Sequence, residues 1–344
     1  MIQDIVKLQK ISTYAGSRVD FTQGGGGNTS MKDEKTGKMA IKASGYKLKD
    51  ITSTNGYVVV DYFKLKNFLN EVDFSSGIDY DTKNKEVTAN SICKIDGMLA
   101  LRPSVEVGFH AVLKKYVIHT HSMYAGLIVC NKNGEDIAKK LFADKDFGYM
   151  FIPYVDPGFT LSVKMKDAIN VYLKENGRFP EVIFMQNHGL VVTSDCSERV
   201  ISLHEEVNKL IKEYFSVEEN YEKITLQKIE DNKYVSKTPF IEKYLKEYGF
   251  DRELLKTYPL YPDQLVYLNN LVEFNPEKMV IENNEVYYST NEKEATTLEE
   301  TLFAYLFIIY TLKKTNSGIS TMSEKDVYFI NNWEAEKYRR SLSK

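Results

Sequence analysis

Val117-Ile118-His119-Thr120-His121 sets two imidazoles two residues apart at the end of a β-branched, apolar run. Successive side chains of a strand point to opposite faces, so a strand over Tyr116 to His121 turns both rings the same way. The chain has five histidines, and a third, His188, sits in Gln186-Asn187-His188-Gly189-Leu190, between an apolar run that reads as another strand and a glycine turn. Two strands can thus present three neutral nitrogen donors. Three protein ligands with an open fourth position suit a catalytic zinc or another divalent transition metal, whereas structural zinc sites are closed by four ligands, often cysteines. A lone histidine in such surroundings is more often a hydrogen-bonded core residue. The HxH spacing on a strand tips the reading to a metalloenzyme.

Outward from this run, Pro103-Ser104 opens a stretch with apolar positions at helical spacing up to Leu113, a helix-start signal. Glu106 falls in its first turn, thirteen residues before His119. Its carboxylate is placed to reach the metal and, once displaced by substrate, to act as general base. The plainer alternative is a first-turn glutamate favoured by the helix dipole. Residues 2–17 read as a helix, which Gln23-Gly24-Gly25-Gly26-Gly27-Asn28-Thr29-Ser30 breaks with four consecutive glycines, a loop that brings backbone close to something. Strands follow at 38–43 and 56–61.

After the HxH strand come a helix over 122–130, a strand near 150–154, the Pro157-Gly158 turn, a helix over 160–176, the strand before His188, and a helix from 196 to about 219. His110 and His204 lie inside helical patterns and read as structural. Composition then turns charged and tyrosine-rich, which places a boundary near 220 and divides the chain into 1–220 and 221–344. The second part carries a helix around 241–248, a strand at 285–289 and a buried helix around 298–313. It ends in Asn331-Asn332-Trp333-Glu334-Ala335-Glu336-Lys337-Tyr338-Arg339-Arg340, a charged helix whose tryptophan reads as an anchor onto the main body or another subunit.

A net charge of -3 gives no general attraction to nucleic acid or anionic membrane. Cys93, Cys130 and Cys196 are odd in number and far apart, so a disulfide framework is not expected and a reducing cytoplasm fits. The N-terminus lacks the unbroken apolar stretch of a signal peptide. The longest apolar stretch, 301–312, is far short of the roughly 20 residues a membrane span needs. No membrane partner is expected.

The order of these pieces resembles the class II aldolase and adducin family. Gly27-Asn28-Thr29-Ser30, Lys42-Ala43-Ser44-Gly45, Pro103-Ser104-Val105-Glu106, His119-Thr120-His121 and Asn187-His188-Gly189-Leu190 stand in the family's order across about residues 5 to 215. The resemblance implies an α/β fold in α-β-α layers, with a mainly antiparallel central sheet flanked by helices and a C-terminal α+β extension. It assigns metal binding, usually of Zn2+, to His119, His121 and His188, and acid/base work to Glu106. Asn28, Ser44, Gly45 and Ser104 are implied to line a pocket for the substrate phosphate, through side-chain donors and backbone N–H groups. Many phosphate-binding members carry a second serine just before the glutamate, where this chain has Val105. Lys32, Lys42 and Arg102 stand beside the motifs as sources of positive charge, and Tyr154 is similar to a family position lining the cleft.

The activity implied is lyase chemistry: cleavage of a ketose 1-phosphate, a sugar phosphate, to dihydroxyacetone phosphate and an aldehyde through a zinc-stabilised enediolate. Family epimerases tend to carry aspartate at the position of Glu106, which favours aldolase. Dehydratase, decarboxylase or epimerase chemistry on a sugar or sugar-acid phosphate is the alternative, and a non-catalytic adducin-like scaffold a remote one. Family members are commonly fourfold-symmetric, so a homo-oligomer, as a tetramer, is expected. The tail looks like those of longer members, including the aldolase half of fused rhamnulose-phosphate aldolase and lactaldehyde dehydrogenase proteins, and is expected to cover the cleft or build an oligomer interface. No GxGxxG follows a strand, so a dehydrogenase half is not expected in these residues.

Overall fold

Alternation along one central strand sorts the layers. In β4 (Tyr116–Thr120), Tyr116 and Ile118 pack into one hydrophobic cluster and Val117 into another on the opposite face. The computed structural model describes residues 4–95, 97, 99–219, 221–251, 253–269 and 278–333. Before β4 come α1 (Val6–Gly16), β1 (Asn28–Asp33), β2 (Lys38–Lys42), β3 (Tyr57–Asp61), α2 (Tyr62–Asn70), α3 (Tyr80–Ser91) and α4 (Val107–Val112). After it come α5 (Met123–Val129), α6 (Gly134–Phe142), β5 (Gly148–Ile152), α7 (Phe159–Asn176), β6 (Pro180–Met185), β7 (Gly189–Ser194) and α8 (Ser197–Tyr214).

The sheet order is β3-β2-β1-β4-β7-β6-β5. Every pairing is antiparallel except β5 with β6. One face takes Leu8, Ile11 and Ala15 of α1, the buried α5, and Val200, Leu203, Val207 and Ile211 of α8. The other takes Phe109 of α4 and Leu161, Met165 and Ile169 of α7. This is the α-β-α arrangement with a mainly antiparallel sheet that the family resemblance implies.

Several boundaries differ from the sequence reading for physical reasons. Residues 28–30, read as part of the glycine loop, open the buried central strand β1. The strand shows no apolar alternation because Asn28 and Ser30 hydrogen-bond to His110, and Thr29 Oγ1 meets Ser12 Oγ at 2.6 Å. β4 stops at Thr120, leaving His121 just past its end. Helix α4 begins at Val107, with Glu106 at its N-cap position.

Beyond α8, β8 (Leu226–Glu230), β9 (Lys233–Ser236), β10 (Met279–Glu282) and β11 (Glu285–Ser289) form a second, antiparallel sheet in the order β10-β11-β9-β8. Asn283 and Asn284, both at positive φ, turn the β10-β11 hairpin, as two-residue hairpin turns require. The helix expected from about 298 starts at Glu292: Asn291 caps it by accepting from Glu294 N, a start that apolar spacing does not register. It runs to Lys314 and is buried against α5. A Cβ on Gly126 would sit 2.4 Å from Ile308 Cδ1, and the Tyr124 and Phe307 rings meet edge-on at 5.8 Å. No helix among the described residues is long and apolar enough to cross a membrane. The helix expected over 331–340 lies outside the described residues beyond Trp333; the helix seen there is Glu324–Asn332.

His204 of α8 is fully buried, with Nε2 2.8 Å from Thr120 Oγ1 and Nδ1 3.1 Å from Tyr14 Oη. Burial, with the Arg18 guanidinium, lowers its pKa to about 3. The unfolded chain therefore takes up this proton below about 6.5 while the folded chain does not. The stabilisation is complete above that pH and is lost as pH falls from about 6.5 toward 3. Between pH 6.5 and 5 the wild type should lose about 2 kcal/mol more unfolding free energy than His204→Gln. Urea titrations at the two pH values measure the difference.

Candidate metal centre and cleft

Three strands and one helix start bring the expected ligands together. Asn28 of β1 is paired with His119 of β4, and Thr120 with Leu190 of β7, so the turn carrying His188 lies beside the end of β4. His119, His121 and His188 are all buried, with one ring nitrogen of each within 4.8 Å of the others. His119 Nδ1 donates to the Leu190 carbonyl at 3.0 Å, which leaves its Nε2 lone pair facing the cluster. Burial, opposed by the Glu106 charge, lowers the His119 pKa to about 3, so the ring is neutral at pH 7, the form that ligates metal. His121 Nε2 lies 3.2 Å from His119 Nε2, and its Nδ1 faces Asp263 Oδ2 at 2.6 Å.

Glu106 closes the group from the start of α4. Its Oε2 is 3.4 Å from His119 Nε2, and its Oε1 is 3.1 Å from His188 Nε2. Burial pushes this carboxyl up, but His119, His188 and His121 outweigh it and hold it well below the usual carboxylate range. Two buried atoms here, Glu106 Oε1 and His188 Nδ1, have no partner with hydrogen-bond geometry. An unsatisfied carboxylate oxygen at this depth is costly, and a divalent cation among three imidazoles and a carboxylate satisfies it. The residues present fit a metal.

Asn28 orients the carboxylate. Its Nδ2 donates to Glu106 Oε2 at 2.6 Å and to Ser104 Oγ at 3.0 Å, while its Oδ1 accepts from His110 Nε2. His110 Nδ1 in turn accepts from Ser30 Oγ at 2.7 Å. His110, read as structural, thus fixes which way the Asn28 amide faces. Its pKa lies well below the ordinary value because it is buried.

An open cleft adjoins this group, lined among others by Asn28, Ser44, Gly45 and Ser104, so the four residues expected around a phosphate share it with Glu106, His121 and His188. Lys42 and Val105 also line it. The Lys42 ammonium donates to the carbonyls of Gly25, at 3.0 Å, and Tyr46, at 2.8 Å. Lys32 does not reach the cleft: its ammonium binds the carbonyls of Leu113 and Lys114, and burial lowers its pKa to about 7. Arg102 is exposed, and neither it nor Tyr154 is among the lining residues.

Sequence reading named no individual residue of the C-terminal part as belonging to the cleft. Pro262 and Trp333 line the cleft, and Asp263 stands behind His121. The tetraglycine loop threads beneath them: Gly24 N donates to Glu300 Oε2 at 2.7 Å, and a Cβ on Gly26 would lie 2.2 Å from Asp263 Oδ2. The partner expected for that close-packed backbone is therefore the C-terminal extension. Nothing local in the sequence links Asp263 to His121; a Pro-Asp helix start is its only signal.

Residues 8–215 match the family model described as the class II aldolase and adducin N-terminal domain. A Bacillus subtilis protein named uncharacterized oxidoreductase YuxG is 32% identical over 214 residues, a match taking in 59% of this chain and 29% of that protein. The chain thus spans less than a third of the curated relative it matches. Among solved structures, the N-terminal class II aldolase domain of a Thermoplasma acidophilum protein shares the fold, with a TM-score of 0.50 and 23% identity over 62% of this chain and 94% of that one. An L-fuculose 1-phosphate aldolase gives 0.42 and 21% over 62% and 86%.

Replacing one expected ligand tests the cluster most simply: His188→Ala should weaken Zn2+ binding by on the order of 100-fold or more, since even groups behind the ligands are worth 10–100-fold. Chelator competition on the purified protein measures it, and unchanged affinity would remove His188 from the centre.

Proposed function

The chain belongs to the class II aldolase and adducin family, and we propose that within it this protein is a zinc-dependent aldolase that cleaves a ketose 1-phosphate to dihydroxyacetone phosphate and an aldehyde. The observation that carries this reading is the Glu106 carboxylate lying 3.1 Å and 3.4 Å from two of three clustered imidazoles, at the wall of a cleft that Asn28, Ser44, Gly45 and Ser104 share. We assign the catalytic part to residues 1–220 and cleft-covering to 221–344.

His119, His121 and His188 would hold the ion. When bound, it supplies Lewis-acid stabilisation for the oxyanion that carbon–carbon cleavage releases. Ser44, Gly45 and Ser104 would receive the phosphate through hydroxyl and backbone N–H donors. As the C3–C4 bond breaks, the C4 hydroxyl passes its proton to the Glu106 carboxylate and becomes the aldehyde carbonyl, while the electron pair stays on C3. Glu106 returns a proton to C3, which completes dihydroxyacetone phosphate. Asn28 holds one carboxylate oxygen at 2.6 Å, so the other is aimed at the reacting carbon without a search over rotamers.

A panel of ketose 1-phosphates, with and without chelator, tests the assignment. Two carbonyl fragments, lost on chelation and restored by Zn2+, are expected. Loss of water or release of carbon dioxide instead would reassign the enzyme to dehydratase or decarboxylase. Glu106→Gln should lower the cleavage rate by about 10²–10⁴-fold; full rate in a zinc-loaded Glu106→Gln protein would take the acid/base role from this residue.

A further inference from the structure

We propose that Asp263, which lies beyond the matched family domain, is a positioning residue of the metal centre, fixing the ring orientation and tautomer of His121. The inference rests on the metal-binding reading above. His121 lies just past the end of its strand: β4 ends at Thr120, and among the described residues no backbone carbonyl takes its Nδ1 in the way Leu190 takes that of His119. Asp263 Oδ2 fills that role at 2.6 Å. A carboxylate oxygen accepts and does not donate, so Nδ1 carries the hydrogen and the Nε2 lone pair is presented where His119 Nε2 also points.

The carboxylate is delivered by a stiff segment. Asp263 is fully buried on the short helical turn Pro262–Gln264, which proline opens. Gln264 braces the turn by accepting from Leu260 N at 2.7 Å and donating to the carbonyls of Leu255 and Tyr258. The fit of the pair also constrains position 26, where a Cβ would fall 2.2 Å from Asp263 Oδ2 and 2.9 Å from His121 Nδ1. The same segment steadies a second ligand. Asn187 Nδ2 donates to the Leu260 carbonyl at 2.8 Å and to the Ser320 carbonyl at 2.9 Å, which clamps the turn bearing His188. Carboxylate and carbonyl partners behind ligating histidines set ring orientation and ligand basicity, and their loss typically costs 10–100-fold in metal affinity.

The test uses the full-length chain. In Asp263→Asn the amide fills the same space but can donate to Nδ1, moving the hydrogen to Nε2. Zn2+ affinity by chelator competition should fall about 10–100-fold, and the imidazole ¹⁵N shifts of His121 in metal-free protein should move from the Nδ1–H toward the Nε2–H pattern, a change that a purely packing role would not cause. In a His121→Ala background, Asp263→Asn should change affinity by less than about twofold. If Asp263→Asn does not fold, Gly26→Ala separates the pair while keeping the carboxylate, and the same loss of affinity is expected. Wild-type affinity together with an unmoved His121 tautomer in Asp263→Asn would overturn the proposal, as would an equal loss in the His121→Ala background. A wild type that binds no divalent ion would instead bring down the metal reading itself, so the two failures are distinct.

Discussion

Burying four polar, ionisable side chains in one place is the constraint around which this structure is organised. The side chains of Glu106, His119, His121 and His188 are each at most 8% exposed, and an unpaired charge at that depth costs several kcal/mol. The fold answers with partners on every side: the Leu190 carbonyl for His119, Asp263 for His121, and the Asn28 amide for Glu106. It leaves Glu106 Oε1 and His188 Nδ1 without a partner in hydrogen-bond geometry, and Glu106 Oε1 lies 3.1 Å from His188 Nε2. The polar strand β1 and the buried His110 make sense on the same terms, because they fix the amide that fixes the carboxylate.

The N-terminal part and the extension share this centre. The glycine loop is pressed between His119's backbone and the extension: a Cβ at Gly27 would lie 2.7 Å from the His119 carbonyl, and one at Gly24 2.8 Å from Thr297 Cγ2. Side chains are excluded there by contact on two sides rather than by turn geometry alone. The long helix Glu292–Lys314 anchors the extension on α5, whose next neighbour in the chain is the HxH strand. Packing of the extension and geometry of the cleft are thereby coupled through a few residues.

Legibility in the sequence followed the range of the interactions. The HxH pair was readable because strand alternation is a local rule, and His188, Glu106 and the cleft residues Asn28, Ser44, Gly45 and Ser104 because each sits in a short motif in a recognisable order. β1 was not readable as a strand, since its inward positions carry Asn28 and Ser30 in place of apolar residues and so erase the period-two signal. The start of the long helix was hidden because its first turns are polar. Lys32 looked like a ligand for an anion by proximity in sequence, yet strand geometry carries it to the far end of β1, onto the Leu113 and Lys114 carbonyls. Asp263 is joined to His121 only through tertiary packing across 142 positions, which no local pattern records.

The most direct measurement of the central claim is anomalous X-ray scattering at the zinc edge from crystals of the metal-loaded, full-length protein. One strong peak per chain is expected, about 2.1 Å from a ring nitrogen of each of His119, His121 and His188. A peak bound elsewhere, or none at these three side chains in fully loaded protein, would contradict it.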